Sequence, residues 1–150
     1  MDELDSALLA ALQADGRRSN RELAAQLGIA PSTSLERVRT MRRRGVVTGV
    51  HATVDLAAIG RPVQAMVTVR LRPQSRGVIH GFRDFVAALP ETLQVFITTG
   101  PEDVLVHVAV ASPQALQDFV LDALTKRKEV AGVRTEVVFD HVRRHVVDPI

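Results

Sequence analysis

The chain has 150 residues, 46% of them hydrophobic, with 19 Lys+Arg against 17 Asp+Glu. That length holds one ordinary domain or two small ones, and that apolar content suffices for a buried core, which excludes a globally disordered chain. With no cysteine there is no disulfide framework, zinc–thiolate site or thiol nucleophile; no apolar run nears the roughly 18 residues of a membrane span.

Leu4, Leu8, Leu9 and Leu12 recur at helical spacing, so residues 3–14 read as an amphipathic helix. Asp2 and Asp5 suit its start and Gly16 its end. An acidic start is also the opposite of a secretory signal. Ser19-Asn20-Arg21-Glu22 has the S-x-x-E form of a capping box, and Leu23, Ala24 and Leu27 supply a buried stripe behind it. Gly28 closes this short helix, Pro31 opens a third, and Gly45 stops that one. A tight Gly28-Ile29-Ala30 turn between the second and third helices makes a helix-turn-helix. Val46–Val54 is strand-like in composition, and Asp55–Pro62, with Gly60 and Pro62, reads as a linker.

Beyond the linker the pattern changes to alternating strands and helices. Val63–Leu71 has a period of two, and Val78–Leu89 places Ile79, Phe82, Phe85, Val86 and Leu89 at helical spacing. Leu93–Thr99 and Val104–Ala111 are strands joined by the turn-forming Gly100-Pro101-Glu102-Asp103. Ser112-Pro113 opens a helix carrying Leu116, Phe119, Val120, Ala123 and Leu124, and Val133–Val142 is a last strand. The order βαββαβ is the ferredoxin-like plan. The expected fold class is therefore α+β: a winged helix-turn-helix at 1–54, a linker at 55–62 and a ferredoxin-like domain at 63–150. Two helices cover one face of such a sheet. Yet Val104–Ala111 is apolar on both sides, with Leu105, Ala109 and Ala111 opposite the valines, so a second copy is expected on the other face.

In the third helix, Leu35, Val38 and Met41 are read as the inward side. Ser32, Thr33, Glu36, Arg37, Arg39, Thr40, Arg43 and Arg44 then fall on or beside the opposite side. Short hydroxyls in the first turn and arginines along the helix suit base edges and phosphates of double-stranded DNA. Pro31–Arg44 would span about 21 Å, ample for a major groove. Glu36 would accept from a cytosine or hold a neighbouring arginine. The plain alternative is a solvated face whose C-terminal cations favour the helix dipole.

Other chemistry is thin. His141 and His145, four apart on a strand, would lie about 13 Å apart and cannot share a metal. His107 reads as a packed or interface histidine. No acid–base pair, activated nucleophile or phosphate-cradling loop is present, so an enzyme is not expected, and neither is a metal or a resident cofactor.

Leu4-Asp5 with Leu8, Gly16-Arg17, Glu22-Leu23-Ala24, Gly28-Ile29, Arg37-Val38 and Gly45-Val46-Val47 form an ordered set. It continues through Gly49-Val50-His51-Ala52, Asp55, Gly60, Thr99-Gly100 with Asp103, and Gly132-Val133-Arg134-Thr135. In this order they resemble the leucine-responsive regulator/AsnC (Lrp/AsnC, feast/famine) family of prokaryotic transcription factors. The resemblance implies a sequence-specific, DNA-binding transcriptional regulator of the cytoplasm and nucleoid. It also implies a RAM-type ligand-sensing domain, homodimers that assemble further, commonly into octamers, and an effector that is often an amino acid. The effector would lie near Gly100–Asp103, engaging Gly100 and Asp103 and, in second place, Thr98, Thr99 and Thr135; an ordinary β-turn is the alternative there. Ala30, Pro101-Glu102 and Val104 depart from the family pattern: Ala30 stands where a capping Ser is usual, and Val104 where a bulkier residue is common. The competing function is a small-molecule sensor or protein-interaction module without specific DNA binding.

Overall fold

The computed structural model describes residues 1–150. They divide into two compact units, 1–53 together with 142–150, and 54–141.

The first unit contains three helices. In α1 (Glu3–Ala14) the Asp2 carboxylate accepts from the Asp5 N–H at 2.8 Å, satisfying one orphan donor of the first turn. In α2 (Asn20–Gln26) the capping box is complete: Ser19 Oγ accepts from Glu22 N at 3.3 Å, and Glu22 accepts from Ser19 N at 2.7 Å. α3 (Pro31–Arg43) follows a turn at Gly28, whose φ of 63° lies in the left-handed region that glycine enters freely. Leu8, Ala11, Leu12, Leu23, Val38 and Met41 form the core of this unit.

Three expectations for this unit need correction. Gly16 does not close α1 by a left-handed turn; a Cβ there would lie 2.7 Å from Val50 Cγ1, so the glycine permits close approach. Leu35 is not a core residue. It is 38% exposed, and Ser34 is fully buried in its place. Positions 34, 38 and 41 follow the four-then-three spacing of one helix face, whereas 35, 38 and 41 drift away from it. Finally, Val46–Val54 forms no strand, so no wing ladder is present. A strand requires a partner, and the N–H groups of Val46 and Val47 instead turn back to the Met41 carbonyl at 2.9 and 3.4 Å.

The second unit has β1 (Val63–Leu71), α4 (Arg76–Ala87), β2 (Thr92–Ile97), β3 (Val104–Val110), α5 (Pro113–Asp118) and β4 (Val130–Val138). α5 runs on as a π-helical turn over Phe119–Leu124. The sheet is antiparallel in the order β2-β3-β1-β4, as the ferredoxin-like plan requires. Alternate residues of β1 and β3, from Ala65 to Leu71 and from Val104 to Val110, pack against Phe82, Val86, Leu116, Phe119 and Leu124. β4 starts earlier and stops sooner than its composition suggests, because Val138 already faces Gln64, one residue from the start of β1. The opposite sheet face carries Met66, Leu105, His107, Ala109 and Phe96, with Phe96 44% exposed. No helix of the chain is long and apolar enough to cross a membrane.

Candidate nucleic-acid interface and effector loop

α3 begins at Pro31 although Ala30, at its N-cap, offers no side-chain bond. The turn before it is held from outside: Asn20 Nδ2 donates to the Pro31 carbonyl at 2.6 Å, tying the first turn of α2 to the first turn of α3. With Ser34, Val38 and Met41 facing the core, Ser32, Thr33, Leu35, Glu36, Arg39, Arg42, Arg43 and Arg44 are exposed, and Thr40 is half-buried.

The cations on this helix fall into three states. Arg43 is held on the helix surface, donating to Glu36 Oε1 at 3.1 Å and Thr40 Oγ1 at 2.8 Å. Arg39, Arg42 and Arg44 make no ion pair. Arg37, expected beside the DNA-reading face, has its guanidinium on α1: 2.5 Å from Asp2 and 2.9 Å from Asp5. The Asp2 carboxyl is held below the usual carboxylate range, first by the Asp5 N–H and then by Arg37, and the Arg37 pKa is raised in return. Arg37 thus braces α3 against the start of α1. Arg42 and Leu35 are the exposed residues that sequence reasoning missed, both because the inward face was placed one residue too far along the helix.

At the β2–β3 turn, Thr98 N donates to the Asp103 carbonyl at 3.1 Å, and Thr98 Oγ1 donates to the Glu102 carbonyl at 3.0 Å. Gly100 has φ 134°, a conformation open to glycine. Asp103 is 3% exposed, and its carboxylate accepts from Leu71 N at 2.7 Å and from Gln74 Nε2, with Arg72 Nη1 at 3.9 Å. It fixes the turn to the end of β1. The N–H groups of Thr99, Gly100 and Glu102 donate to no protein acceptor. Thr98, Thr99, Gly100 and Asp103 therefore share one turn. Thr135 does not join them: it lies on β4, paired with Val67 of β1, at the opposite edge of the sheet from β2.

Two further features lie outside this turn. A cavity of about 430 Å³ beside α4 is lined by Arg72, Gly77, Gly81, Phe82, Arg127 and Lys128 among others, with Arg127 4.0 Å above the Phe85 ring and 2.6 Å from Glu129. On the sheet face opposite the helices His107 Nε2 lies 3.0 Å from Gln64 Oε1, and its ring centroid is 6.4 Å from that of His141. Burial and then His141 lower the His107 pKa. No group of three His, Cys, Asp or Glu side chains is placed to hold a metal.

The model of the AsnC-type helix-turn-helix domain matches residues 1–42, and that of the Lrp/AsnC ligand binding domain matches residues 64–147. The chain belongs to the Lrp/AsnC family of transcriptional regulators. It is 37% identical over 143 residues to the HTH-type transcriptional regulator AldR of Mycolicibacterium smegmatis, covering 95% of this chain and 84% of that protein. It is 32% identical to the leucine-responsive regulatory protein of Rhizobium meliloti, covering 95% and 92%. Among solved structures, a Neisseria meningitidis transcriptional regulator in complex with L-Met superimposes with TM-score 0.90 at 26% identity, covering 100% of this chain and 96% of that one. E. coli AsnC gives 0.87 at 26%, covering 99% of each. The Lrp/AsnC assignment thus spans both units, with α3 in the helix-turn-helix and the Gly100–Asp103 turn in the ligand-binding domain.

Proposed function

We propose that this Lrp/AsnC chain acts as a homo-oligomer that lays α3 of each subunit in the major groove of a pseudo-palindromic DNA site. The observation that carries this reading is the set of exposed, unpaired arginines along α3 and at its C-cap, Arg39, Arg42 and Arg44, with the exposed hydroxyls of Ser32 and Thr33 in its first turn. Hydroxyls in the first turn meet base edges and phosphates, while cations farther along release counterions from the backbone. Arg43, held by Glu36 and Thr40, presents its guanidinium in a fixed place. A second copy covers the sheet face that bears Met66, Leu105 and Phe96, giving the two-fold symmetry that two half-sites need.

The sensor function belongs to the Gly100–Asp103 turn. The unpaired N–H groups of Gly100 and Glu102, with that of Thr99 beside them, suit the carboxylate of a free amino acid. Asp103 serves there by shaping the turn, since Leu71 and Gln74 already engage its oxygens. The neighbour bound to L-Met supports an amino acid as the ligand class. The setting is the cytoplasm, and no catalytic step is assigned. Selection of bound fragments from a random duplex pool, with and without a panel of amino acids, tests both halves. One family of enriched sequences, altered in affinity by at least one amino acid, is expected; absence of enrichment removes the DNA-reading function.

A further inference from the structure

Leu35 is a partly covered apolar side chain, 38% exposed, among mainly polar exposed residues of α3. On the three helices of the first unit it is the one large apolar side chain left exposed; the unit's other exposed large hydrophobics lie at the N-terminus and in non-helical segments. It is absent from the core that Val38 and Met41 join. Pro31 and the buried Val38 lie one turn away on one flank; on the other flank are Ser32 and Arg39, with Glu36 beside it in sequence, and these three are polar and exposed. Each of these can hydrogen-bond to a base or phosphate, and Leu35 cannot.

The major groove presents one apolar group, the 5-methyl of thymine. We propose that Leu35 is a specificity-determining residue of this chain, reading a thymine methyl in each half-site of its DNA. This rests on the DNA-binding reading of α3 given above and adds a base to it. The side chain lies in the second turn from the N-terminus of α3, the part of a recognition helix that reaches base edges. A leucine there rewards burial of the methyl and leaves a cytosine amino group without a partner, so it discriminates without a hydrogen bond of its own.

The test uses the full-length chain and the duplex it selects from a random pool. Each thymidine of that duplex is replaced in turn by deoxyuridine, which removes only the methyl. One position per half-site is expected where this weakens wild-type binding about fourfold, the worth of one buried methyl group. The Leu35→Ala protein should bind the parent duplex more weakly, be indifferent to deoxyuridine at that position, and keep its helix content with a much smaller fall in melting temperature than a core truncation causes. A flat uracil scan, or the same sensitivity in Leu35→Ala, would overturn the inference while DNA reading by α3 stands. A fall in melting temperature as large as that of a core truncation would overturn it too, by showing Leu35 to be a packing residue. If no duplex is enriched at all, the DNA-binding reading fails and the inference with it.

Discussion

The two units are stabilised differently. The core of the first contains six buried hydrophobic residues, whereas the core of the second contains thirteen, so the caps and charge pairs of the first stand beside a smaller core. Asp2 caps α1 and pairs with Arg37, Ser19 and Glu22 cap α2, and Asn20 holds the start of α3. In the second unit the valines of β1 and β3 are sealed beneath two helices, and Asp103 is its one buried charged residue. The contrast fits the DNA-reading function proposed for α3. A helix that must present a polar face to DNA contributes only a narrow stripe to its own core.

Substitutions should separate the two regimes, and amide hydrogen exchange can follow each unit in a chain that has no Trp or Tyr. Phe82→Ala should have the largest effect, destabilising the second unit by about 3–5 kcal/mol through loss of a buried ring and the cavity left behind. Asp103→Ala comes next. Leaving the Leu71 N–H buried without an acceptor should cost about 1–3 kcal/mol in urea unfolding, with the exchange protection of Leu71 lost first. Ala30→Ser should stabilise the first unit by about 1 kcal/mol by supplying the missing cap of α3, an increase that calorimetry can detect.

The finest distinction is between two arginines two residues apart. Arg37→Ala should lower the melting temperature of the first unit and weaken specific and non-specific DNA binding alike, through a loosened α3. Arg39→Ala should leave melting unchanged and reduce the slope of log affinity against log salt by about 0.9 per subunit. The brace has a pH signature as well. The folded-state pKa of Asp2 is depressed, so its contribution is present above the unfolded carboxylate pKa and is lost as pH falls through the folded value. Acid titration of Arg37→Ala should therefore show a shallower loss of stability below the carboxylate range than wild type.

What was legible in the sequence was local. The Ser19–Glu22 capping box, the Ser112-Pro113 helix start and the period of two in Val63–Leu71 depend on neighbours within a few residues, and each formed as expected. What failed depended on distant partners. Val46–Val54 has the composition of a strand but nothing to pair with. Ser34 outranks Leu35 for the interior because the helix packs on its smaller side chain, which hydrophobicity alone does not reveal. Arg37 looked like a base reader because Asp2 and Asp5 lie 35 and 32 residues away. The donors that occupy Asp103, Leu71 and Gln74, lie 32 and 29 residues away, so its role in shaping the turn was equally hidden.

DNA reading is assigned to the exposed residues of α3. It is tested most directly by the ratio of affinities for the selected duplex and a scrambled one, at fixed salt, in wild type and in a Ser32→Ala, Thr33→Ala double variant. The ratio should fall at least tenfold in the variant, with helix content and melting temperature unchanged. An unchanged ratio would contradict it.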